Sequence, residues 1–378
     1  MRVLFISHTA HRGGAEIVLE RFLRQVGGFR HAVLTPPGPF AESLVAAGLP
    51  PLIATSLGNL RRDENPLWWL RLPWRWAAAQ LEIARWLRLL RPDVVQCNNY
   101  VTVVYALLPA LLCRVPLVWH MHDMIRPGQW VRPLLRPLSR LAGRIIAVSE
   151  AVRDNLLDHG VAPDKVVTIY NAVPPVDARP PNPDEAARIS AAARWPQTLG
   201  VMGTPDRLKG FHVALAALAL LVHAHGRDAG LLVAGSAVTP EQRQVLAALE
   251  AEAVRLGVAE RLVMLGHVGA TRDFFAAVQR FVHVPVLPDS LPTVVLEAVA
   301  AGCPVVGARI GGVPECLGEG RWGVLVPPDD PAALAAALAG PLPDPLPPEE
   351  LAAFHDRFSH EAKEQGHLAV YAALTRRA

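Results

Sequence analysis

The stretch VPVLPDSLPTVVLEAVAAGCPVVG, residues 284–307, places a strand end, a Pro-bounded turn, a helix and a second strand in a row. Pro288 ends the first strand and Pro292 suits the first turn of a helix. TVVLEAVAAG then runs as a helix that stops at Gly302. Two acids stand in this apolar setting, Asp289 and Glu297, with seven residues between them. Glu297 is the only charge of its helix. Its neighbours at i±1, i±3 and i±4 are Leu296, Ala298, Val294, Ala300, Thr293 and Ala301. That surround predicts a helix apolar all round and therefore buried. A buried carboxylate needs a partner. Thr293 precedes Glu297 by four residues, not three, so this is no capping box.

Strand and helix patterns alternate on both sides of this stretch. RVLFIS, HAVLT, DVVQCN, PLVWHMHD and RIIAVS read as buried strands, each followed by helical or loop sequence. After VVTIYNAV comes PPVDARPPNPDE, a linker by composition. A second series follows: TLGVMG, GLLVAG, RLVMLG, FVHVPVL, CPVVG and GVLVP. Short apolar strands separated by helices form parallel sheets covered on both faces. The chain is expected to fold as two Rossmann-like, doubly wound α/β domains, over 1–173 and 186–340, with a Pro-rich hinge at 174–185. Ligands of such sheets bind beyond the strands' carboxyl ends, so the cleft between the domains is the expected active site. A last amphipathic segment starts at Ser359, a plausible N-cap.

Composition excludes several classes. Of 378 residues 51% are hydrophobic and 19% charged, which supports a large core and excludes global disorder. Lys and Arg exceed Asp and Glu only by 37 to 34, so a nucleic-acid partner is not expected. Cys97, Cys113, Cys303 and Cys316 form no C-x-x-C pair, and a reducing cytosol fits. MRVLFISHTAHRGG has too short an apolar run for a signal peptide. No apolar run reaches the ~20 residues of a membrane span.

Several residue groups suggest chemistry. Glu297 either pairs with an Arg of another element or accepts hydrogen bonds from a vicinal diol such as a ribose. On the second reading, Asp289 accepts from hydroxyls of another sugar ring. The N–H groups of Ser290, Leu291 and Thr293 then hold a phosphate at the helix N-terminus. GGAE at 13–16 opens the first helix; Gly13 and Gly14 either make a plain turn or admit a phosphate or sugar close to the backbone. No G-x-G-x-x-G occurs, which counts against a Rossmann dehydrogenase. His120 and His122 share one face of a strand end next to Asp123. Their spacing permits a metal pair, but no third and fourth ligand are evident, so no metal is expected.

DSLPTVVLEAVAAGCPVVG resembles the signature of the family-4 retaining glycosyltransferases, which have the GT-B fold: an acid, seven residues, a Glu, then a helix and A-x-G-x-P-V-V. The family has Glu where this chain has Asp289. HRGGAE (11–16), VWHMHD (118–123), RIIAVSEAVRDNLLDHGVAPDKVVTIYNAV (144–173) and GTPDRLKG (203–210) extend the resemblance over nearly the whole chain. The resemblance implies that Glu297 holds the donor ribose and Asp289 the donor sugar. It implies that Lys209 meets the diphosphate as negative charge develops on the leaving group. Thr204 stands where the family has Arg, and Arg207 is the nearby cation that could reach the same phosphates. His122 is implied at the donor sugar; His8, His11 and His120 are weaker candidates for the acceptor. The donor domain would be C-terminal, the acceptor domain N-terminal, and the last helix (359–378) would cross back to the latter. The expected reaction is metal-independent, retaining transfer from a UDP- or GDP-sugar to a glycan, lipid-linked or small-molecule acceptor, with no cofactor. The rivals are a nucleotide-sugar epimerase of the same fold and a non-catalytic sugar-nucleotide-binding protein.

One segment stands apart. Over 60–93 five of the nine Trp, at 68, 69, 74, 76 and 86, mix with seven Arg. Trp with Arg is the composition of an interfacial segment. Trp86 reads as core; the other four, broken up by Pro66 and Pro73, fit a regular core helix badly. The segment is expected to dock on an anionic cytoplasmic membrane surface.

Overall fold

The computed structural model describes residues 1–57, 68–129, 132–173, 182–269 and 271–376, with the backbone alone at 68–71. The chain forms two units, Met1–Ala172 together with Ser359–Ala378, and Val173–Phe358.

The first unit runs β1 (Arg2–Ile6), α1 (Gly14–Gln25), β2 (Arg30–Thr35), α2 (Pro39–Ala46), β3 (Leu52–Ile53), α3 (Trp68–Leu90), β4 (Val94–Cys97), α4 (Tyr100–Leu112), β5 (Leu117–Met121), α5 (Arg132–Leu141), β6 (Arg144–Ala147), α6 (Glu150–Asp158) and β7 (Val166–Thr168). Among the described residues its strands form one parallel sheet in the order β3-β2-β1-β4-β5-β6-β7. The inner strands β4 and β5 are buried at every position, as covered faces require.

The second unit runs α7 (Pro183–Ala192), β8 (Gln197–Met202), α8 (Phe211–His223), β9 (Ala229–Ala234), α9 (Pro240–Arg255), β10 (Leu262–Gly266), α10 (Thr271–Ala277), β11 (Arg280–His283), α11 (Thr293–Ala300), β12 (Val305–Ala308), α12 (Val313–Cys316), β13 (Val324–Val326), α13 (Pro331–Ala339) and α14 (Pro348–Arg357). Its sheet is also parallel, in the order β10-β9-β8-β11-β12-β13. Both sheets therefore reverse their strand order once, between β1 and β4 and between β8 and β11. That is the doubly wound arrangement.

Helix α15 (His360–Thr375) belongs with the first unit; Ser359 caps it by accepting from the Ala362 N–H at 3.0 Å. Its Tyr371 joins Phe5, Phe22, Phe29 and Phe40 in that unit's core. The second core centres on α8, whose sequence is almost wholly apolar, packed on the sheet and against Ala-rich α13. Buried Arg280 ends α13 favourably. Its guanidinium donates to the carbonyls of Leu338, Gly340 and Pro341, where the helix dipole is negative.

Three details differ from the sequence reading. The linker expected over 174–185 lies outside the described residues up to 181, and from Pro183 it is already helix, capped by Asn182. The second unit does not end at 340. It continues through α14, anchored where Trp322 donates to Glu350 Oε2 at 2.8 Å and packs on Phe354 and Phe358. In the Trp-rich segment α3 runs unbroken through Pro73, its sixth residue. The side chains of Trp68 and Trp69 lie outside the described residues. Trp74 is 79% exposed, whereas Trp76 is half-buried and donates to the Val104 carbonyl of α4. Trp86 is half-buried.

Candidate active site

In the second sheet the strand order reverses between β8 and β11, so the loops after these strands flank one crevice. The loop after β8 carries Lys209; the loop after β11 carries Asp289. Eighty residues apart in sequence, they meet with Lys209 Nζ 2.6 Å from Asp289 Oδ2. The turn bearing Lys209 is fixed at both ends. Asp206 accepts from the Leu208 N–H, and the Leu208 carbonyl accepts from the Val286 N–H at 3.0 Å. Gly210 closes it at φ 72°, and a Cβ there would lie 1.7 Å from the Val284 carbonyl oxygen. Only glycine fits that approach.

Asp289 is held equally firmly. Its Oδ1 accepts from the Ser290 N–H at 3.0 Å, and its carbonyl accepts from the Gly312 N–H at 2.8 Å. Buried His283, the last residue of β11, brings Nε2 to 3.4 Å from Oδ2, a long contact. Burial pushes the Asp289 carboxyl up. The neighbouring His283 ring and the Lys209 charge outweigh it and hold the group well below the usual carboxylate range. Burial pushes the His283 imidazole down, against the pull of Asp289. His283 and the Gly311–Gly312 pair were missed from sequence. A lone His at a strand end reads as core, and a GG pair reads as a turn. A Cβ at Gly311 would come 2.3 Å from the Asp289 carbonyl oxygen, and one at Gly312 would come 2.1 Å from that of Ser290.

Glu297 corrects an expectation. Helix α11 is not buried all round: Thr293, Val294, Glu297 and Ala300 form a half-buried stripe, while Val295, Leu296, Ala298 and Val299 face the core. Glu297 lies on the accessible stripe and is not without a partner. Apolar neighbours alone did not bury it, because no element among the described residues covers that stripe fully. Pro292 is the N-cap of α11 instead of a first-turn residue. Of the three expected phosphate donors, the Ser290 N–H already serves Asp289. Leu291 and Thr293, next to the start of a helix whose first N–H groups lack intrahelical acceptors, remain.

Thr204 and Arg207 face elsewhere. Both are exposed and line a groove of 490 Å³ shared with the first turns of α9. Arg207 also lines an adjoining groove of 380 Å³ against α9, with Phe211, Val245 and Leu249. The two cations of this turn thus have different neighbours.

In the first unit the candidate residues gather after β1 and β5. Gly13 is the N-cap of α1 and Gly14 its first residue. A Cβ at Gly14 would meet nothing within 4 Å, so the protein's own packing does not require glycine there. Glu16, which the sequence reading passed over, is 5% exposed and accepts from Ser7 Oγ at 3.2 Å. Burial pushes its carboxyl up, against the hydrogen bonds from the backbone and Ser7. His8 Nδ1 lies 3.2 Å from Thr102 Oγ1; His11 is exposed. His120, expected near the acceptor, is 2% exposed and bonded to Gln96, so it is an internal neighbour of His122. The two rings lie 4.1 Å apart, centroid to centroid. His122, 8% exposed, is the outer of the pair. Among the described residues no three His, Cys, Asp or Glu side chains gather as a metal site.

Two parallel sheets, each wound once about a switch point, with loop residues at the strand ends, define a GT-B architecture. The crystal structure of Anabaena HepE in complex with UDP and glucose superimposes with a TM-score of 0.81 at 22% identity, covering 99% of this chain and all of that one. The apo form of the lipopolysaccharide outer core galactosyltransferase WaaB gives 0.72 at 15% identity, covering 99% of each chain. Residues 12–176 match Glycosyltransferase Family 4, and residues 196–344 match Glycosyl transferases group 1. The chain belongs to the family-4, group-1 glycosyltransferases. Relatives include the glycogen synthase of Mycobacterium tuberculosis, 30% identical over 273 residues, 68% of this chain and 61% of that protein. The D-inositol 3-phosphate glycosyltransferase of Streptomyces coelicolor is 30% identical over 282 residues, 65% of this chain and 60% of that protein. The chain thus spans about three fifths of the length of these curated relatives.

Proposed function

We propose that this chain transfers a sugar from a UDP- or GDP-sugar to a glycan, lipid-linked or small-molecule acceptor, with retention at the anomeric carbon. The observation that carries the reading is the meeting of Lys209 and Asp289 across the switch point of the second sheet. Family membership and the UDP and UDP-glucose held by HepE support it. Retention rests on the family resemblance.

In this reading the second unit holds the donor. Glu297, on the accessible stripe of α11, accepts from the ribose hydroxyls. Asp289 accepts from the sugar and holds Lys209 where the diphosphate arrives. Lys209 and the N–H groups of Leu291 and Thr293 take up the charge that grows as the anomeric carbon–phosphate oxygen bond breaks. The acceptor oxygen bonds to that carbon, and its proton passes to the departing phosphate oxygen. His122 meets the sugar, and His8 and His11 of the first unit contact the acceptor. No metal is needed in this reading, because Lys209 and the backbone N–H groups at the start of α11 neutralise the diphosphate. A panel of UDP-, GDP- and dTDP-sugars scored for ligand-induced thermal shift, then for transfer with excess EDTA, tests this. One nucleotide series should stabilise the protein and activity should survive chelation. Loss of activity on chelation, restored by Mg²⁺ or Mn²⁺, overturns metal independence.

We also propose that the protein is cytoplasmic and docks peripherally on anionic membrane through α3. Trp74 and Leu81, 79% and 72% exposed, share one stripe of α3 with exposed Arg85 and Arg88. Indole and leucine insert at the headgroups while Arg meets anionic lipid. No helix among the described residues is long and apolar enough to cross a membrane. Flotation should require phosphatidylglycerol, weaken with salt and drop in Trp74→Ala/Leu81→Ala. Equal absence of binding to anionic and neutral liposomes overturns it.

A further inference from the structure

Two sets of buried polar side chains lie outside the proposed chemistry. Helix α15 buries Lys363, His367 and Tyr371 in the first unit, at 3%, 0% and 0% exposure. Each is engaged within that unit. Lys363 Nζ donates to Asn171 Oδ1, His367 Nδ1 to the Lys363 carbonyl, and Tyr371 Oη to Gln96 Oε1. The other is His283, which stands beside the candidate site itself.

His283 ends β11, at the switch point of the second sheet. Val282 and Val284 on either side belong to the core around α8, so alternation turns His283 to the opposite face of the sheet. Its ring runs nearly parallel to that of Phe281, with centroids 6.4 Å apart and planes at 18°. The residue is 4% exposed, and among the described residues its Nε2 makes no hydrogen bond. Asp289 Oδ2 lies 3.4 Å from that nitrogen. An unmade bond at a buried polar atom is costly, and a leucine would fill a buried strand end without that cost. The ring nitrogen therefore calls for a use.

The oxygen facing His283 is already taken. Lys209 Nζ holds Asp289 Oδ2 at 2.6 Å, and the Ser290 N–H holds Oδ1 at 3.0 Å. The loop between His283 and Asp289 is fixed by its backbone. Pro285 and Pro288 set two of its φ angles. The Val286 N–H donates to the Leu208 carbonyl of the Lys209 turn, and the Gly312 N–H to the Asp289 carbonyl. Lys209, Asp289 and His283 thus exchange partners by side-chain rotation alone. Burial pushes the His283 imidazole down, which keeps the ring neutral. A neutral ring beside a carboxylate carries its proton on the nitrogen that faces the oxygen, since a lone pair there is repelled.

We propose that His283 is a positioning residue for Asp289, a reserve hydrogen-bond partner that takes Oδ2 when the diphosphate of the nucleotide sugar draws Lys209 away. The inference rests on the placement of the diphosphate at Lys209. The ammonium is a point charge on a flexible stem and turns towards the greater negative charge. Asp289 is then held only through Oδ1, a single point about which the carboxylate swings. A bond from His283 Nε2–H to Oδ2 restores a two-point hold while the leaving group departs. Closing from 3.4 Å to the usual ~2.9 Å is a small rotation of either side chain.

Imidazole ¹⁵N and Nε2–H spectra of the full chain test this. Without ligand, His283 should be a neutral ring protonated at Nε2. Lys209→Met removes the competing cation, so the Nε2–H resonance should move downfield as the bond to Asp289 shortens. Inorganic pyrophosphate, UDP or GDP added to the wild type should move it the same way. A ring protonated at Nδ1 overturns the inference, as does an unmoved Nε2–H in Lys209→Met. If Lys209→Met moves the resonance and none of the three phosphates does, His283 is the reserve partner and the placement of the diphosphate at Lys209 fails instead. In steady-state kinetics His283→Leu should lower kcat about tenfold with KM little changed, the loss of one hydrogen bond to a charged group. His283→Gln, whose amide N–H reaches the place of Nε2, should recover most of that loss, which a space-filling role does not predict. Equal kcat for wild type and His283→Leu overturns the inference, as does His283→Gln no better than His283→Leu. Should His283→Leu not fold, the Lys209→Met spectrum still decides.

Discussion

Asp289 has both oxygens engaged before any ligand arrives: Oδ1 by the Ser290 N–H, Oδ2 by Lys209. The shorter acid at this position thus anchors the cation. Lys209→Ala should lower kcat by more than it raises KM, since leaving-group charge exists mainly in the transition state. Arg207→Ala, in a groove beside α9, should do little. A larger loss from Arg207→Ala in steady-state kinetics would put the phosphate clamp on the wrong cation. Lys363 makes a different prediction. Its folded value of about 7 lies below the ordinary lysine range, so between about pH 7 and 10.4 the unfolded chain binds more protons. Stability from this group therefore rises with pH across that window, and its cost is fully present below it. Lys363→Met should stabilise the protein at pH 6 by as much as about 4 kcal/mol, and the gain should fade towards pH 10. Urea midpoints measured at both pH values check the sign.

The turn at 206–210 shows how an element fixes a charge. Gly210→Ala forces a Cβ against the Val284 carbonyl in a left-handed conformation, at a cost of about 1–3 kcal/mol or more. It should lower the urea midpoint and displace Lys209, weakening donor binding as well. An unchanged midpoint would contradict the packing described here. Most elements were legible from hydrophobic runs punctuated by Gly and Pro. The Ser359 cap and the stop of α11 before Gly302 were read directly. Two-residue β3 was not, because so short a strand has no pattern of its own. Helix α3 runs through Pro73, its sixth residue, at the loss of one backbone N–H donor. The half-buried stripe around Glu297 was illegible for another reason. Periodicity says which side chains are apolar, not which of them another element covers.

Two sheets with the same winding put their crevices at β1/β4 and β8/β11; alternation of strand and helix along the chain implied the parallel sheets but not which strands flank each switch point. The pairing of Lys209 with Asp289 needed the motif for its position and the fold for its geometry. His283, Glu16 and the α15 cluster came from the fold alone, since contacts between distant segments leave no mark in sequence spacing. Donor binding to the second unit is what all the proposed chemistry depends on. Calorimetric titration of UDP- and GDP-sugars into the full chain and into Glu297→Gln measures it. One donor should bind the wild type, and Glu297→Gln should weaken it by on the order of 1–3 kcal/mol, roughly 5- to 150-fold, with the fold intact by circular dichroism. Equal affinity for both proteins, or no binding of any nucleotide sugar to the wild type, would contradict the donor site proposed here.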